Sequence, residues 1–191
     1  MIKFDYNKEI EREIFEDFVK KNRPREIYEM VEKELNSVPI SKDDILIQNQ
    51  LKYIKTAWEE VEQNFYAKLG AFYNSKIEAP NLICYLTRLS IFPYQYKGEC
   101  QHFTAPLFGS PAERNRIIMH ELCHYFQPIE LPKDVKEAIP VILNDHKEFQ
   151  MFSVDKGSKS EEEQKWRKIV WDIYTAGGNI YAVKKLLGKT E

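Results

Sequence analysis

The chain has 191 residues, with 28 lysines and arginines against 30 aspartates and glutamates, a formal charge of −2 and 43% hydrophobic residues. Those values suit one globular domain with a sizeable core. They exclude a disordered or collagenous chain and the basic field that nucleic acid or an anionic membrane would require. Cys84, Cys100 and Cys123 are too few and odd in number for a disulfide framework, so a reducing, cytoplasmic setting is expected. The opening MIKFDYNKEIEREIF has no apolar signal core, and no run approaches 18 apolar residues; neither a cleaved signal nor a membrane span is expected.

In chain order, Ile10, Ile14, Phe15, Phe18 and Val19 recur at helical spacing and predict a helix over 8–20. Pro24 opens a second helix to about Leu35, with Ile27, Tyr28, Val31 and Leu35 on one face. Ser41, Asp43 and Asp44 mark a third start. A long helix through Ile54, Ala57, Trp58, Val61, Phe65 and Leu69 is predicted to follow, with Gly70 near its end. Between Ala79 and Phe108 the texture turns to Ile, Leu, Tyr, Phe and Thr with Pro and Gly punctuation, which predicts two or three short strands.

Ser110-Pro111 begins a helix to about Gln127, as N-cap and first-turn proline. A helical stretch over 133–153 follows, kinked or restarted by Pro140. DKGSKSEEEQK reads as an exposed loop and helix start. A helix over 161–176 turns Trp166, Ile169, Val170, Ile173 and Tyr174 inward, and Gly177-Gly178 separates it from a last short helix. The sum is an α+β chain, mostly helical, with a small mixed sheet ahead of the 110–127 helix.

The chemistry sits in RNRIIMHELCHYF. His120, Glu121 and His124 form an H-E-x-x-H motif. Positions i and i+4 share a helix face, so both imidazoles can reach one metal ion, with Glu121 beside the first as a general base. Ile117, Ile118, Met119, Leu122, Cys123, Tyr125 and Phe126 are all uncharged. A surface helix holding two histidines by coincidence would be charged on one side, whereas this one reads as buried almost all round. Catalytic zinc usually takes a third protein ligand, and Glu137, Asp145, His146 and Glu148 lie downstream.

These residues resemble the zincin metallopeptidases, over roughly 80–150. The resemblance implies a zincin-like fold in a single domain spanning 1–191, with 1–75 a helical N-terminal part and 76–191 the catalytic part. It also implies that CQHFTAPLF is an edge strand serving extended substrate. KDVKEAIPVILND is similar to the glutamate helix of thermolysin-like gluzincins, which implies metal ligands His120, His124 and Glu137, although the 12 residues between His124 and Glu137 make a short connection. NDHKEF resembles the third-histidine element of SprT or Spartan-type proteases, with lysine where that family has glycine, and would make His146 the ligand instead. GEC at 98–100 resembles the cysteine element of peptide deformylases, without that family's glycine-rich motif.

The expected function is therefore a zinc-dependent metallopeptidase. It would act on peptide or protein substrates, with Glu121 as catalytic base, Zn2+ as cofactor, and no nucleic-acid or membrane partner. The alternatives are a catalytically silent zincin-fold binding or regulatory protein and a small-molecule amidase. Tyr125, Tyr174 and Tyr181 stand as candidate donors to an oxyanion, though for each the structural role weighs more heavily.

Overall fold

The computed structural model describes residues 2–20, 23–37, 41–89, 102–145 and 154–188. His146, Glu148, Cys100 and part of the stretch expected to hold strands lie outside them. Among the described residues the protein is mostly helical, with eight α-helices and one three-stranded sheet. No described helix is long and apolar enough to cross a membrane.

The chain divides into two compact units, each made of two segments: residues 1–58 with 80–114, and residues 59–79 with 115–191.

In the first unit, β1 (Lys3–Asp5) leads into α1 (Lys8–Ile14), where Asn7 Oδ1 accepts the Glu9 and Ile10 amides at 2.8 and 3.3 Å. A π-helical turn, Phe15–Val19, extends α1 over the expected span. Pro24 precedes α2 (Arg25–Ser37), its carbonyl accepting the Ile27 amide at 3.0 Å. Ile14, Phe15 and Leu89 form a buried cluster, against which Ile10, Tyr28, Val31 and Leu35 pack. Ile27, expected on that face, is exposed. Asp44 starts α3 (Ile45–Glu59) by accepting the Leu46 amide at 2.8 Å, and Ile47, Ile54 and Trp58 are buried.

The single long helix expected here is two helices. α3 stops at Glu59, and α4 (Glu62–Tyr73) begins after a break at Glu60-Val61. Carboxylates are favoured at and just ahead of a helix N-terminus, so Glu59, Glu60 and Glu62 suit a fresh start at α4, although Glu59 as the last residue of α3 stands against that helix's dipole. Gly70 lies in the last turn of α4, near its end as expected; a Cβ there would meet the Ser75 carbonyl at 2.8 Å, so the helix closes onto a backbone with no room for a side chain.

β2 (Ile83–Thr87) is the central strand, with β1 on one side and β3 (His102–Pro106) on the other, in the order β1-β2-β3. The register pairs Phe4 with Cys84 and Cys84 with Phe103. The sheet, expected as mixed, is parallel in both described pairs. β2 and β3 bury residues on both faces, as parallel strands do, and the long crossover through α1–α4 is what parallel pairing of β1 with β2 needs. β1 escapes the sequence reading because it is only three residues long.

α5 (Pro111–Phe126) starts where expected, with Ser110 Oγ accepting the Glu113 amide at 3.2 Å. Buried Arg114 fixes that start to the end of β3, donating to the Pro106 carbonyl at 2.8 Å and the Leu107 carbonyl at 2.9 Å. The motif residues of α5 belong to the second unit. There, α6 (Lys133–Ala138) tightens into a 3-10 turn, Ile139–Asn144, beginning at Pro140's neighbour. α7 (Glu161–Thr175) is capped by Ser160, and α8 (Ile180–Leu187) by Asn179. α7 runs along α6 and the 3-10 turn, burying Trp166 and Val170 with Ile139 and Ile142.

Candidate metal centre

On α5, Ile117, Ile118, Met119, Leu122 and Cys123 are buried, which fixes the helix rotation and leaves His120 and His124 half-buried on the remaining face. Their Nε2 atoms lie 3.0 Å apart. The Glu137 carboxylate, on the last turn of α6, sits 3.6 Å from His120 Nε2 and 3.4 Å from His124 Nε2. An ion bonding at about 2.0–2.1 Å to three tetrahedrally placed donors needs them about 3.3 Å apart. The three separations bracket that value. His120, His124 and Glu137 thus form a group that could hold a metal ion, and among the described residues no other such group of His, Cys, Asp and Glu exists.

The two imidazoles are each aimed by a partner. Asp155 Oδ2 lies 2.6 Å from His120 Nδ1. An ionised carboxylate only accepts, so Nδ1 carries a proton and Nε2 is the nitrogen turned to the site. Gln127 Oε1 lies 3.1 Å from His124 Nδ1, while Gln127 Nε2 donates to the Lys136 carbonyl at 2.8 Å. That carbonyl fixes which way the amide faces, so His124 must donate from Nδ1 and it too presents Nε2.

Asp155 is itself held. Arg167 Nη2 donates to its Oδ1 at 3.0 Å and also to its backbone carbonyl. The Gly157 amide donates to Oδ1 at 2.9 Å, and Arg116 lies 3.8 Å from Oδ2. Asn144 brackets the Asp155 backbone, donating to its carbonyl and accepting from its amide, both at 2.8 Å.

The electrostatics of the metal-free chain follow. Burial would lower the His120 pKa, but hydrogen bonds to Asp155 and Glu137 outweigh it and raise it to about 9. The same hydrogen bonds, from His120 and then His124, hold Glu137 well below the usual carboxylate range. Asp155 is buried, which acts to raise its pKa, yet His120 and Arg167 hold it well below. Glu121, with no such partner strong enough to offset its burial, is pushed up to about 7 despite the nearby histidines. The metal-free site therefore keeps a proton on His120 that an incoming cation must displace.

Of the other candidate ligands, Asp145 is placed elsewhere. It accepts from Lys68 Nζ at 3.0 Å and from Tyr174 O–H at 2.8 Å, and Lys68 and Tyr174 also bond each other. Tyr174 is thereby engaged, Tyr181 is exposed, and Tyr125 packs edge-on to Phe126.

The sequence reading missed Asp155, Gln127 and Arg167. Asp155 sits in a stretch read as an exposed loop, yet it is buried. Arg167 lies in a helix read only for its apolar stripe. The signal available was Gly157, at φ 65, in the αL region that glycine adopts freely, two residues past an aspartate. No family model matches the chain, and no curated protein and no solved structure is similar enough to place it in a family.

Proposed function

We propose that the chain is a zinc-dependent hydrolase of peptide bonds, with His120, His124 and Glu137 as ligands and Glu121 as general base. The observation that carries this reading is the convergence of two oriented imidazoles and one carboxylate beside a buried glutamate, Glu121, whose burial pushes its pKa up to about 7. A structural site has no use for such a group, whereas a base that must both take and return a proton works best with a pKa near the operating pH. Two histidines and a glutamate leave a position open for water or substrate, as catalytic zinc requires.

Zinc in this site supplies Lewis-acid polarisation of the scissile carbonyl and acidifies the attacking water. Glu121 accepts the water proton on its carboxylate as the water oxygen bonds to the carbonyl carbon. It then delivers that proton to the leaving nitrogen as the C–N bond breaks. Asp155 and Gln127 keep the imidazoles from turning during the cycle. The Glu137 carboxylate is 37% exposed and the two imidazoles 17% and 16%, so the site opens to solvent on one side.

The test is zinc content per chain by elemental analysis of untagged protein, with turnover of a mixed-sequence quenched peptide library. Close to one zinc per chain and peptide cleavage, abolished in Glu121→Gln with zinc retained, is the expected result. A chain that takes up no zinc in excess metal ends the metal reading. A chain that binds zinc, and cleaves equally well with Glu121→Gln, ends the mechanism.

A further inference from the structure

We propose that Gln127 and Arg167 are paired positioning residues that fasten the Glu137 segment to the histidine pair, so that all three donors are set before any metal arrives. This rests on His120, His124 and Glu137 being the metal ligands.

Two short routes carry the inference. One runs from His124 Nδ1 to Gln127 Oε1 at 3.1 Å, and from Gln127 Nε2 to the Lys136 carbonyl at 2.8 Å. The other runs from His120 Nδ1 to Asp155 at 2.6 Å, from Asp155 to Arg167 Nη2 at 3.0 Å, and from Arg167 Nη1 to the Glu137 carbonyl at 3.3 Å. The two routes start on the two ligating histidines and end on consecutive carbonyls, the second of them belonging to the third ligand. Buried Gln127 meets both ends of its route directly, and buried Arg167 reaches Glu137 directly and His120 through Asp155.

The need for them is local. Only 12 residues join His124 to Glu137, and α6 has just six residues, too short to be a stable helix by itself. Its ligand-bearing turn is exposed on the carboxylate side. Without the two clasps, Glu137 would lose its fixed position while the histidines, on a 16-residue helix, would not. Arginine suits the second clasp because its planar fork reaches two acceptors at once; lysine, a single point donor, reaches one.

The experiment measures zinc affinity by competition with a chromophoric chelator, and the visible absorption of the cobalt(II)-substituted full chain, for wild type, Gln127→Met, Gln127→Glu, Arg167→Met and Arg167→Lys. Circular dichroism confirms that each is folded. Met removes the clasp at Gln127 and keeps the volume; Glu keeps the oxygen facing His124 and loses the donor to Lys136.

The expected result is a 10- to 100-fold loss of zinc affinity in Gln127→Met and Arg167→Met, in line with about that cost for groups that orient ligands. Gln127→Glu and Arg167→Lys should fall between these and wild type. The cobalt bands should shift in every variant, which a purely packing role would not cause. If Arg167→Met does not fold, Arg167→Lys and the Gln127 pair decide. Wild-type affinity and unchanged cobalt bands in the folded variants would overturn this proposal alone, because the wild-type chain would still bind. A wild-type chain that binds neither metal would overturn the ligand reading beneath it.

Discussion

Each unit of the molecule has a carboxylate buried against an arginine, Glu11 in the first and Asp155 in the second, and the two are used differently. In the first, Glu11 accepts from Tyr6 O–H at 3.0 Å, from Thr87 Oγ1 at 3.2 Å, and from Arg88 through its amide, Nε and Nη2. These donors sit at the ends of β1 and β2, and Arg88 Nη2 goes on to the Leu35 carbonyl at 3.5 Å, so the cluster joins the strand ends to α2. In the second, Asp155 meets Arg167, the Gly157 amide and His120, and the imidazole has a second nitrogen that faces Glu137. A buried carboxylate ringed by framework donors is a fastener. One that holds an imidazole by its far nitrogen transmits that hold to whatever the near nitrogen touches. Burial and charge are alike in the two clusters; the identity of one donor separates structure from chemistry.

Breaking the two clusters should show this. The largest effect is expected from Glu11→Ala, which strands Arg88 in a buried place and should cost about 3–5 kcal/mol of stability. Denaturant unfolding measures it, and zinc bound per folded chain should not change. A loss below about 1 kcal/mol, the worth of a surface pair, would mean that Glu11 fastens nothing.

The proton on His120 predicts the next effect. Below about 9 each bound zinc displaces roughly one proton from it, so apparent affinity should rise about tenfold per pH unit, or 100-fold between pH 6 and 8. Titration calorimetry in buffers of different ionisation enthalpy counts the protons released. The stability of the metal-free chain should run the other way. His120 has a raised pKa when folded, so its contribution is full below 6.5 and lost as pH rises through about 9. Glu121, raised from 4.5 to about 7, loses its share over that interval. Glu137 and Asp155, lowered, add stability above their ordinary values of 4.5 and 3.8 and lose it as pH falls. The metal-free melting temperature should therefore be highest near pH 4.5–5 as far as this cluster decides it, and a melting temperature that climbs from pH 6.5 to 9 would contradict the assignment.

Asp155→Asn is expected to weaken zinc binding about 10- to 100-fold. An asparagine can turn its amide toward Nδ1 and release the tautomer, so nitrogen-15 shifts of the His120 ring should report both forms where wild type reports one. The smallest effect belongs to Gly157→Ala. That residue sits at φ 65, and a Cβ would run into Glu163 Oε1 and lie 2.8 Å from Arg167 Cδ. The left-handed backbone by itself costs about 1–2 kcal/mol, the displaced Glu163 and Arg167 side chains add to it, and the loss of zinc affinity should be smaller than that of Asp155→Asn.

What the sequence disclosed was what is periodic or punctuated. The α5 motif was legible because helical spacing by itself brings His120 and His124 to one face. The starts of α2, α5 and α7 were legible from Pro24, Ser110-Pro111 and the DKGSKSEEEQK stretch, since helix starts are signalled within one turn. Glu137 came from resemblance, and the structure brings it beside both histidines. Asp155, 31 residues beyond His124 in a polar stretch, had no local signature, because its burial is made by Arg167 and His120 from other elements. The break between α3 and α4 was hidden for the opposite reason: the apolar spacing runs through it unchanged, and only the carboxylates at 59, 60 and 62 mark the restart. The strand β1 was too short for alternation to stand out.

That short strand sets the order in which the first unit is made. Lys3–Asp5 finds its partner only at Ile83–Tyr85. At roughly 5–20 residues per second of synthesis, β1 waits several seconds for β2 to leave the ribosome. The helices between them form locally and early, whereas the sheet closes over nearly eighty intervening residues and waits on that distant encounter. The amino-terminal strand is made first and placed late, and until β2 arrives the apolar side chains of Ile2 and Tyr6, buried in the finished fold, have no sheet to cover them.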